Sequence, residues 1–567
     1  MLNLFALTLL CASWLVPLHI PPWISWHNEV LAFASALCFA AALLKRRKNQ
    51  HEAFIAVPYS ALVVAVFGGV VLFQFSSGLI SYSGDALVVL FYLSLCVCMV
   101  LVGFDFARSG CSEVEQNKFW LIFDWFAAVL LLGASISAVI ALVQALDVWG
   151  ETTLISRMQT LRRPGAHLGQ PNQLATLLLM GMVSLAYLYE RARVGAASAM
   201  LLFALMILGI AATESRTGLL GFSVLMCWWF VRRRTVRFSV PTGVVLAGAS
   251  GLICLFWLWP AFLTFLQAGG STGGDVVQVN TTAGTRLVVW PQLIEAMWQR
   301  PWFGWGLREL SHAHNAVLHH YDKSEPFTYA HNIVLDLAVG VGLPLAALFL
   351  LGAFVWAWRR MSATKALLPW YCTAMLIPLA VHSMLEFPFS YAYFLVPAMF
   401  CLGALDGVLM PHRYVRFGWW PAASGFFLMT LAMGWSVVEY IAIEEDFRVA
   451  RFEASHIGKT ASDYERPAIH MLTQLDALNL GTRMVPAPDM TLKSIEFSRK
   501  VAMRHPSTAA QNRYALTLAL NGSPDEAIRQ LKVMRAMYGE ASYLRIKANW
   551  AELANTRYPQ LKAINMP

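Results

Sequence analysis

The chain has 567 residues, of which 58% are hydrophobic and 13% are charged, and its formal net charge is +9. Soluble domains carry about a quarter charged residues, so this balance excludes an ordinary soluble protein and indicates a polytopic membrane protein. The positive balance requires no nucleic-acid partner, because basic residues that anchor one side of the membrane account for it.

Long apolar stretches run through the first 440 residues, and each is close to the roughly 20 residues that a helix needs to cross a bilayer. They do not alternate as the strands of a membrane barrel do. We therefore predict an all-α polytopic protein with about 13 transmembrane helices. The first stretch lacks a basic start and a cleavage site, so we expect it to be retained. The predicted spans lie near residues 3–20, 28–44, 57–75, 86–106, 119–147, 172–190, 197–212, 219–231, 240–260, 331–357, 367–383, 391–409 and 418–440.

The distribution of lysine and arginine predicts the orientation. One set of six short loops carries 17 basic residues, and the alternate loops carry eight. Loops rich in basic residues face the cytoplasm, so the alternate loops, a long polar loop near residues 260–330 and the tail are predicted to face the periplasm. None of the nine cysteines falls in these outer parts, which predicts that no disulfide framework forms there.

Composition also predicts a domain organisation. We expect N-terminal transmembrane helices over residues 1–159, a transmembrane core with the long loop over 160–440, and a small helical domain on the outer side over 441–567. Within the tail, Asn521-Gly522-Ser523-Pro524 is a turn between two amphipathic helices, as in a tetratricopeptide hairpin. The tail is either a structural cap or a platform that binds a partner or acceptor.

The first candidate site is a polar segment before the sixth span. Two arginines, two glycines and a polar helix start suit an anion such as phosphate, through charge and free backbone N–H groups. The alternative is an interfacial turn whose arginines reach the headgroups. The candidate residues are Arg162, Arg163, His167, Gln170 and Asn172.

Two further arginines stand at predicted outer positions. Arg216 lies in a very short turn, where it is held at the depth of a lipid-linked phosphate, pairs with Glu214 or meets lipid headgroups. Arg286 precedes a segment rich in tryptophan. Those rings either anchor the segment at the membrane interface or stack on sugars; they are Trp290, Trp298, Trp302 and Trp305.

Two His-Asn pairs compete for the role of a base, His314-Asn315 and His331-Asn332. His331 opens an apolar run, whereas His314 lies in a polar loop and is less constrained. A helix N-terminus disfavours the cationic imidazole, so a neutral His331 could accept a proton. The alternative is a polar helix cap formed with Asn332. The histidine spacing fits no metal signature, so we predict no metal and no cofactor.

A last outer turn carries Glu386, Tyr391 and Tyr393. Glu386 could orient His331, pair with an arginine or hold an acceptor. The two tyrosines could contact the acceptor or lie at the membrane interface.

Taken in order, these segments resemble the bacterial O-antigen ligase/polymerase superfamily, and within it the PglL/PilO-type protein O-oligosaccharyltransferases, over residues 160–405. A Gly-Gln-Pro-Asn segment favours the branch that glycosylates proteins. The matching segments are His167 to Thr176, Ser215-Arg216-Thr217, Arg286 with Pro301 to Gly306, His331-Asn332, and Glu386-Phe387-Pro388 with Tyr391-Ala392-Tyr393.

The resemblance implies a GT-C-like enzyme of the bacterial inner membrane whose active site faces the periplasm. Such enzymes transfer a glycan en bloc from undecaprenyl pyrophosphate to Ser or Thr hydroxyls, often of type IV pilin, and are regarded as metal-independent. The family's histidine falls on His331, its glutamine on Gln170 and its arginines on Arg216 and Arg286. The arginines would stabilise the leaving pyrophosphate, and the histidine would take the hydroxyl proton.

Two alternatives remain open at this stage. A lipid A-core ligase or an O-antigen polymerase would keep the chemistry and change the acceptor. A transporter of lipid-linked sugars would favour charged or broken helices near the bilayer midplane, often in repeated halves. Here the polar groups concentrate at one face, and no internal repeat is visible.

Overall fold

The computed structural model describes residues 1–50, 53–108, 113–148, 163–267 and 282–567. These divide into two compact units. The first unit comprises Met1–Phe67, Phe91–Val276 and Phe354–Ala432, and the second comprises Gly68–Leu90, Val277–Ala353 and Met433–Pro567.

The described part of the chain is almost entirely helical. Its first helices are α1 Leu2–Leu15, α2 Trp26–Asn49, α3 Tyr59–Ser76, α4 Ser83–Arg108, α5 Glu113–Leu146, α6 Pro171–Glu190, α7 Ala196–Thr213, α8 Arg216–Val236, α9 Thr242–Gln267, α10 Thr282–Gln299 and α11 Leu310–Val317. They are followed by α12 Ile333–Val341, α13 Leu343–Ala363, α14 Leu367–Ser383, α15 Ala392–Leu409, α16 Trp419–Ala454, α17 Thr473–Arg483, α18 Leu492–Arg504, α19 Thr508–Leu520, α20 Pro524–Tyr538 and α21 Glu540–Thr556.

Ten of the described helices are long and apolar enough to cross a membrane, and α1 and α14 are shorter apolar helices. The protein is therefore a helical, multi-pass membrane protein. Each predicted span falls on a described helix, but the count of 13 stays a prediction. The predicted span at 331–357 is divided between α12 and α13, because Gly342 between them has a φ of +84°.

Close backbone contact organises the helices of the first unit. Gly103 of α4 lies against Phe400 of α15, and Gly403 of α15 lies against Val100 of α4, so that a Cβ atom at either glycine would overlap the opposite backbone. Small residues allow this approach, which is a common way for membrane helices to pack. Acidic side chains in this unit are also paired, as Asp406 accepts hydrogen bonds from Ser60, Trp356 and Arg360.

A short antiparallel ribbon is the one departure from helix that the sequence did not predict in the described residues. Strand β1, Phe54–Pro58, pairs with strand β2, Tyr414–Gly418. The ribbon connects segments that lie about 360 residues apart in sequence (Phe54 pairs with Gly418). Local hydrophobic periodicity contains no information about such a long-range pairing.

The tail folds as a set of helical hairpins. Helices α19 and α20 flank the turn that the sequence predicted, with Ser523 as the N-cap residue and Pro524 as the first residue of α20. Their inner faces form a core with α21, and Trp550 of α21 is 2% exposed. The predicted tetratricopeptide-like hairpin is thus present, whereas the proposed domain boundaries stay a prediction.

Within the second unit, the long loop is packed on the tail. Leu318 is fully buried against Val533 and Met537 of α20. The backbone N–H of Ser324 donates a hydrogen bond to the carbonyl of Ala536 at 2.8 Å, and Arg529 donates to the carbonyl of Ala316 at 2.8 Å. Residues 316–324 of the loop are therefore packed and hydrogen-bonded against α20 of the tail.

A buried ion pair strengthens this arrangement. Asp85, at the start of α4, is fully buried and accepts two hydrogen bonds from Arg504 of α18, at 2.6 and 2.7 Å. The Nε atom of Arg308, in the loop, lies 3.5 Å from the same carboxylate. A buried carboxylate is tolerated only when it is paired in this way.

We predict that Arg504→Met destabilises the protein by about 3–5 kcal/mol, because it leaves the buried Asp85 carboxylate with a single cation. Thermal unfolding of the purified protein in detergent would measure the loss. The control is Arg448→Met, which removes an exposed i,i+3 pair with Glu445 and is expected to leave the melting temperature nearly unchanged. Equal melting temperatures for the two variants would contradict the prediction.

Candidate functional site

The start of α6 carries the first group of candidate residues. Gln170 is the N-cap residue, and its side-chain oxygen accepts a hydrogen bond from the backbone N–H of Gln173 at 2.8 Å. Pro171 is the first residue of the helix, where its missing N–H costs nothing. The prediction that Pro171 opens a helix is confirmed.

Glu386 is the centre of a buried polar network in the first unit. Its two carboxylate oxygens accept hydrogen bonds from the side-chain amides of Gln170 and Asn172, both at 2.6 Å. The Nε2 atom of His382 lies 3.2 Å from the same carboxylate, and Glu386 is 6% exposed. The structure thus brings the predicted site residue Glu386 together with two others, Gln170 and Asn172, which lie 216 and 214 positions before it in sequence.

The network extends to the start of α8. The hydroxyl of Ser215 donates a hydrogen bond to the side-chain oxygen of Asn172 at 2.6 Å and accepts one from the backbone N–H of Gly218 at 2.9 Å. Ser215 is the N-cap residue of α8, and Arg216 is its first residue. The N-termini of α6 and α8 are therefore held in a fixed relation, and the exposed Arg216 stands at this junction.

Arg163 lies close to Arg216. Its Nε atom donates a hydrogen bond to the carbonyl of Thr213 at 2.9 Å. Burial lowers the pKa of the Arg163 guanidinium, Glu214 and Glu386 oppose this decrease, and the neighbouring Arg216 adds to it. Because Thr213 precedes Arg216 by three residues, the hydrogen bond to its carbonyl holds Arg163 at the turn between α7 and α8 that carries Arg216. Arg162 is outside the described residues.

Two other candidates of this unit are buried. His167 is 7% exposed, and its Nδ1 atom lies 2.7 Å from the carbonyl oxygen of Leu15 at the end of α1. Tyr393 is 2% exposed and donates its hydroxyl proton to the side-chain oxygen of Gln173 at 2.8 Å, while its ring contacts Tyr391. Tyr393 is thus part of the polar network rather than an interfacial ring.

Helix α10, in the second unit, carries Arg286. One turn further along, Trp290 donates its indole N–H to the carbonyl of Ala330 at 2.8 Å, and Trp305 donates to the carbonyl of Ala296 at 2.7 Å. Trp298 and Trp302 are 63% and 72% exposed. Two of the four tryptophans therefore hold the fold together, and the other two remain candidates for membrane or sugar contact.

His331 precedes α12, in a strained backbone conformation. Asn332 is the N-cap residue, and its side-chain oxygen accepts hydrogen bonds from the backbone N–H groups of Val334 and Leu335. The helix begins at Ile333, two residues later than the apolar run indicates. His331 has a φ of +55°, which costs a non-glycine residue about 1–3 kcal/mol and is common at active sites.

The prediction that His314 lies in a polar loop and is less constrained than His331 is wrong. This residue is on α11 and is fully buried, with its Nε2 atom 2.8 Å from the side-chain oxygen of Gln292 and 3.1 Å from the hydroxyl of Ser324. Burial lowers the pKa of His314 to about 4, which keeps the ring neutral. A role in orienting the acceptor stays a prediction, but these contacts favour a structural role.

The remaining histidines of the loop also have protein neighbours. His320 pairs with Glu295 at 2.9 Å, and His312 lies 3.5 Å from Glu309. Among the described residues, no three His, Cys, Asp or Glu side chains are grouped so that they could hold a metal ion. That the enzyme needs no metal stays a prediction.

Asp336 was not among the site residues predicted from the sequence. Its carboxylate accepts a hydrogen bond from the backbone N–H of Ala330 at 3.0 Å, directly before His331. The available signal was an acidic residue within an apolar helix, since such residues are rare and often functional.

Comparisons with known proteins match three parts of the chain to family models. Residues 201–350 match the O-antigen ligase model, residues 164–189 match the protein glycosylation ligase model, and residues 370–552 match the C-terminal model of virulence factor membrane-bound polymerases. The chain therefore contains segments similar to O-antigen ligases and to protein glycosylation ligases. The glycosylation ligase match covers the start of α6, with Gln170 and Asn172.

Two relatives from Acinetobacter baylyi agree with this assignment. A general O-oligosaccharyltransferase is 25% identical over 555 residues, which are 95% of this chain and 92% of the relative. A ComP-specific O-oligosaccharyltransferase is 24% identical over 345 residues, 59% of each chain. The resemblance to PglL-type O-oligosaccharyltransferases is thus confirmed.

We predict that Glu386→Ala lowers the free energy of unfolding by about 2–4 kcal/mol, because it leaves the buried amides of Gln170 and Asn172 without their charged acceptor. Glu386→Gln retains one acceptor oxygen and is expected to cost less. Thermal unfolding in detergent compares the two variants with the wild-type protein. Wild-type stability of Glu386→Ala would show that the network contributes nothing to the fold.

Proposed function

We propose that this protein is an O-oligosaccharyltransferase. It transfers a glycan en bloc from undecaprenyl pyrophosphate to Ser or Thr hydroxyls of periplasmic proteins such as type IV pilin, at the periplasmic face of the bacterial inner membrane. The names of its relatives and its multi-pass helical fold support the reaction class. The orientation rests on the distribution of lysine and arginine.

The observation that carries the proposal is the paired-arginine junction of the first unit. Arg163 and Arg216 lie near each other, and Arg216 is the exposed first residue of α8. Two cations near a helix N-terminus are suited to binding a pyrophosphate. The helix dipole also stabilises negative charge at that end of the helix. Arg162, Gln170, Asn172 and His167 are proposed to contribute to donor binding, the last three by shaping the start of α6.

We assign the activation of the acceptor to His331, with Arg286 as a further cation for the donor. The hydroxyl oxygen attacks the anomeric carbon of the sugar, and the bond from that carbon to the pyrophosphate oxygen breaks. The hydroxyl proton passes to the neutral imidazole of His331, and undecaprenyl pyrophosphate leaves with the bonding electrons. Arginines stabilise the charge that develops on this group. Glu386, Tyr391, Tyr393 and Asn332 are proposed to orient groups around the reaction.

A second acceptor class is supported by a specific observation. The O-antigen ligase and membrane-bound polymerase models cover most of residues 201–552, and the first of these names suits a lipid acceptor. Incubation of the purified enzyme with an undecaprenyl-linked oligosaccharide, a pilin-like protein and lipid A-core in one assay would separate the two classes. Transfer to lipid A-core without transfer to protein would overturn the proposed acceptor.

We predict that His331→Ala lowers the transfer rate by about 10²–10⁴-fold, because a general base contributes about that factor. Arg216→Gln and Arg286→Gln are each expected to cost about 10²–10³-fold, through the loss of one positioned charge contact. The control is His412→Ala, at an exposed position of the chain. Product formation by mass spectrometry, with equal amounts of folded enzyme, measures all four variants. Wild-type transfer by His331→Ala would remove His331 from the mechanism.

We also predict that chelators leave the transfer rate of the purified enzyme unchanged, because the proposed chemistry uses arginine and histidine side chains alone. The assay is run with and without EDTA, and then with added zinc or magnesium. Inhibition by EDTA that either ion reverses would contradict a metal-independent reaction.

A further inference from the structure

The backbone of Ala330, the residue before His331, is held from two directions. Ala330 is fully buried. Its N–H donates a hydrogen bond to the carboxylate of Asp336 at 3.0 Å, and its carbonyl accepts one from the indole N–H of Trp290 at 2.8 Å. One restraint comes from α12 and the other from α10, and all of these residues lie in the second unit.

This double restraint explains how the strained conformation of His331 persists. A left-handed backbone at a non-glycine residue is maintained only when its surroundings determine it. Asn332, the residue after His331, is fixed because it caps α12. The ring centroids of Phe327 and His331 lie 4.7 Å apart. The hydrogen bonds to Ala330 fix the residue that precedes, so the backbone of His331 is held on both sides.

Trp290 also relates His331 to Arg286. Residues four apart on a helix lie on the same face, one turn from each other. Arg286 and Trp290 have this spacing on α10, so the indole that holds the His331 turn is on the same helical face as the arginine. A displacement of the turn would therefore change the position of the imidazole relative to that face.

We propose that Trp290 and Asp336 are positioning residues for the transfer reaction, which fix the His331 turn against the helix that carries Arg286. This inference rests on the proposed role of His331. Neither residue needs to touch the substrate, because each acts through a hydrogen bond to the backbone of Ala330. Trp290 contributes one N–H donor, and Asp336 contributes one acceptor oxygen.

The test uses variants that remove a single hydrogen bond in the full-length enzyme. Trp290→Phe removes the indole donor and retains an aromatic ring. Asp336→Leu removes the acceptor, whereas Asp336→Asn retains an oxygen that can accept from Ala330. The matched control is Trp358→Phe, on α13, whose side chain is 66% exposed and has no assigned role in the reaction.

The readouts are kcat and KM for both substrates, with a purified undecaprenyl-linked oligosaccharide and a pilin-like acceptor. Trp290→Phe and Asp336→Leu are expected to lower kcat by about 10- to 100-fold, since a misplacement of about 1 Å can cost about 10²-fold. Changes of KM are expected to stay within about twofold, because binding of the ground state is untouched. Asp336→Asn and Trp358→Phe should retain most of the wild-type kcat.

A double variant separates positioning from general loss of structure. If Asp336 acts through His331, adding Asp336→Leu to His331→Ala lowers the residual rate no further. A loss of activity by Asp336→Asn as large as that of Asp336→Leu would overturn the inference, because the charge rather than the accepting oxygen would then matter. The Asp336 series also keeps the test decisive if Trp290→Phe does not fold.

Two patterns distinguish this inference from the proposed function. Wild-type activity of His331→Ala would refute the role of His331 itself. An inactive His331→Ala combined with wild-type kcat for Trp290→Phe and Asp336→Leu would refute only the positioning roles, and the proposed reaction would stand.

Discussion

Buried carboxylates that require partners determine the arrangement of both units. In the first unit the Glu386 carboxylate accepts hydrogen bonds from the side-chain amides of Gln170 and Asn172. In the second unit the Asp85 carboxylate accepts hydrogen bonds from the guanidinium of Arg504. An unpaired carboxylate in such surroundings would cost several kcal/mol, so only a fold that brings these partners together is stable. Each pair joins segments that are distant in sequence, and in the first unit the partners Gln170, Asn172 and Glu386 are themselves functional candidates.

The consequence for chemistry is preorganisation. Because Ser215 ties the start of α8 to Asn172 of α6, Arg216 has a defined position before any ligand binds. Charges that are already in place cost no reorganisation when negative charge develops in a reaction. The turn at His331 is another example, since hydrogen bonds made by its neighbours Ala330 and Asn332 hold its strained conformation.

Local sequence signals predicted where the helices lie and where two of them start, but not the partners of polar side chains. Pro171 and the Ser523-Pro524 pair mark helix starts through backbone chemistry that is readable within a few residues, and both predictions hold. The roles of Trp290 and Asp336, the burial of His314 and the β1–β2 ribbon depend on contacts across the fold. Hydrophobic periodicity does not predict these long-range contacts, because a hydrogen bond to a distant carbonyl produces no repeat in the sequence.

The division of the protein also separates its thiols. All nine cysteines fall outside Gly68–Leu90, Val277–Ala353 and Met433–Pro567, the ranges of the second unit. Cys227 and Cys254 are exposed on α8 and α9. Once the native thiols are replaced by serine or alanine, a single cysteine placed in the tail or the long loop becomes the sole target for a maleimide fluorophore or spin label. Spectroscopy can then follow that one position while the enzyme turns over.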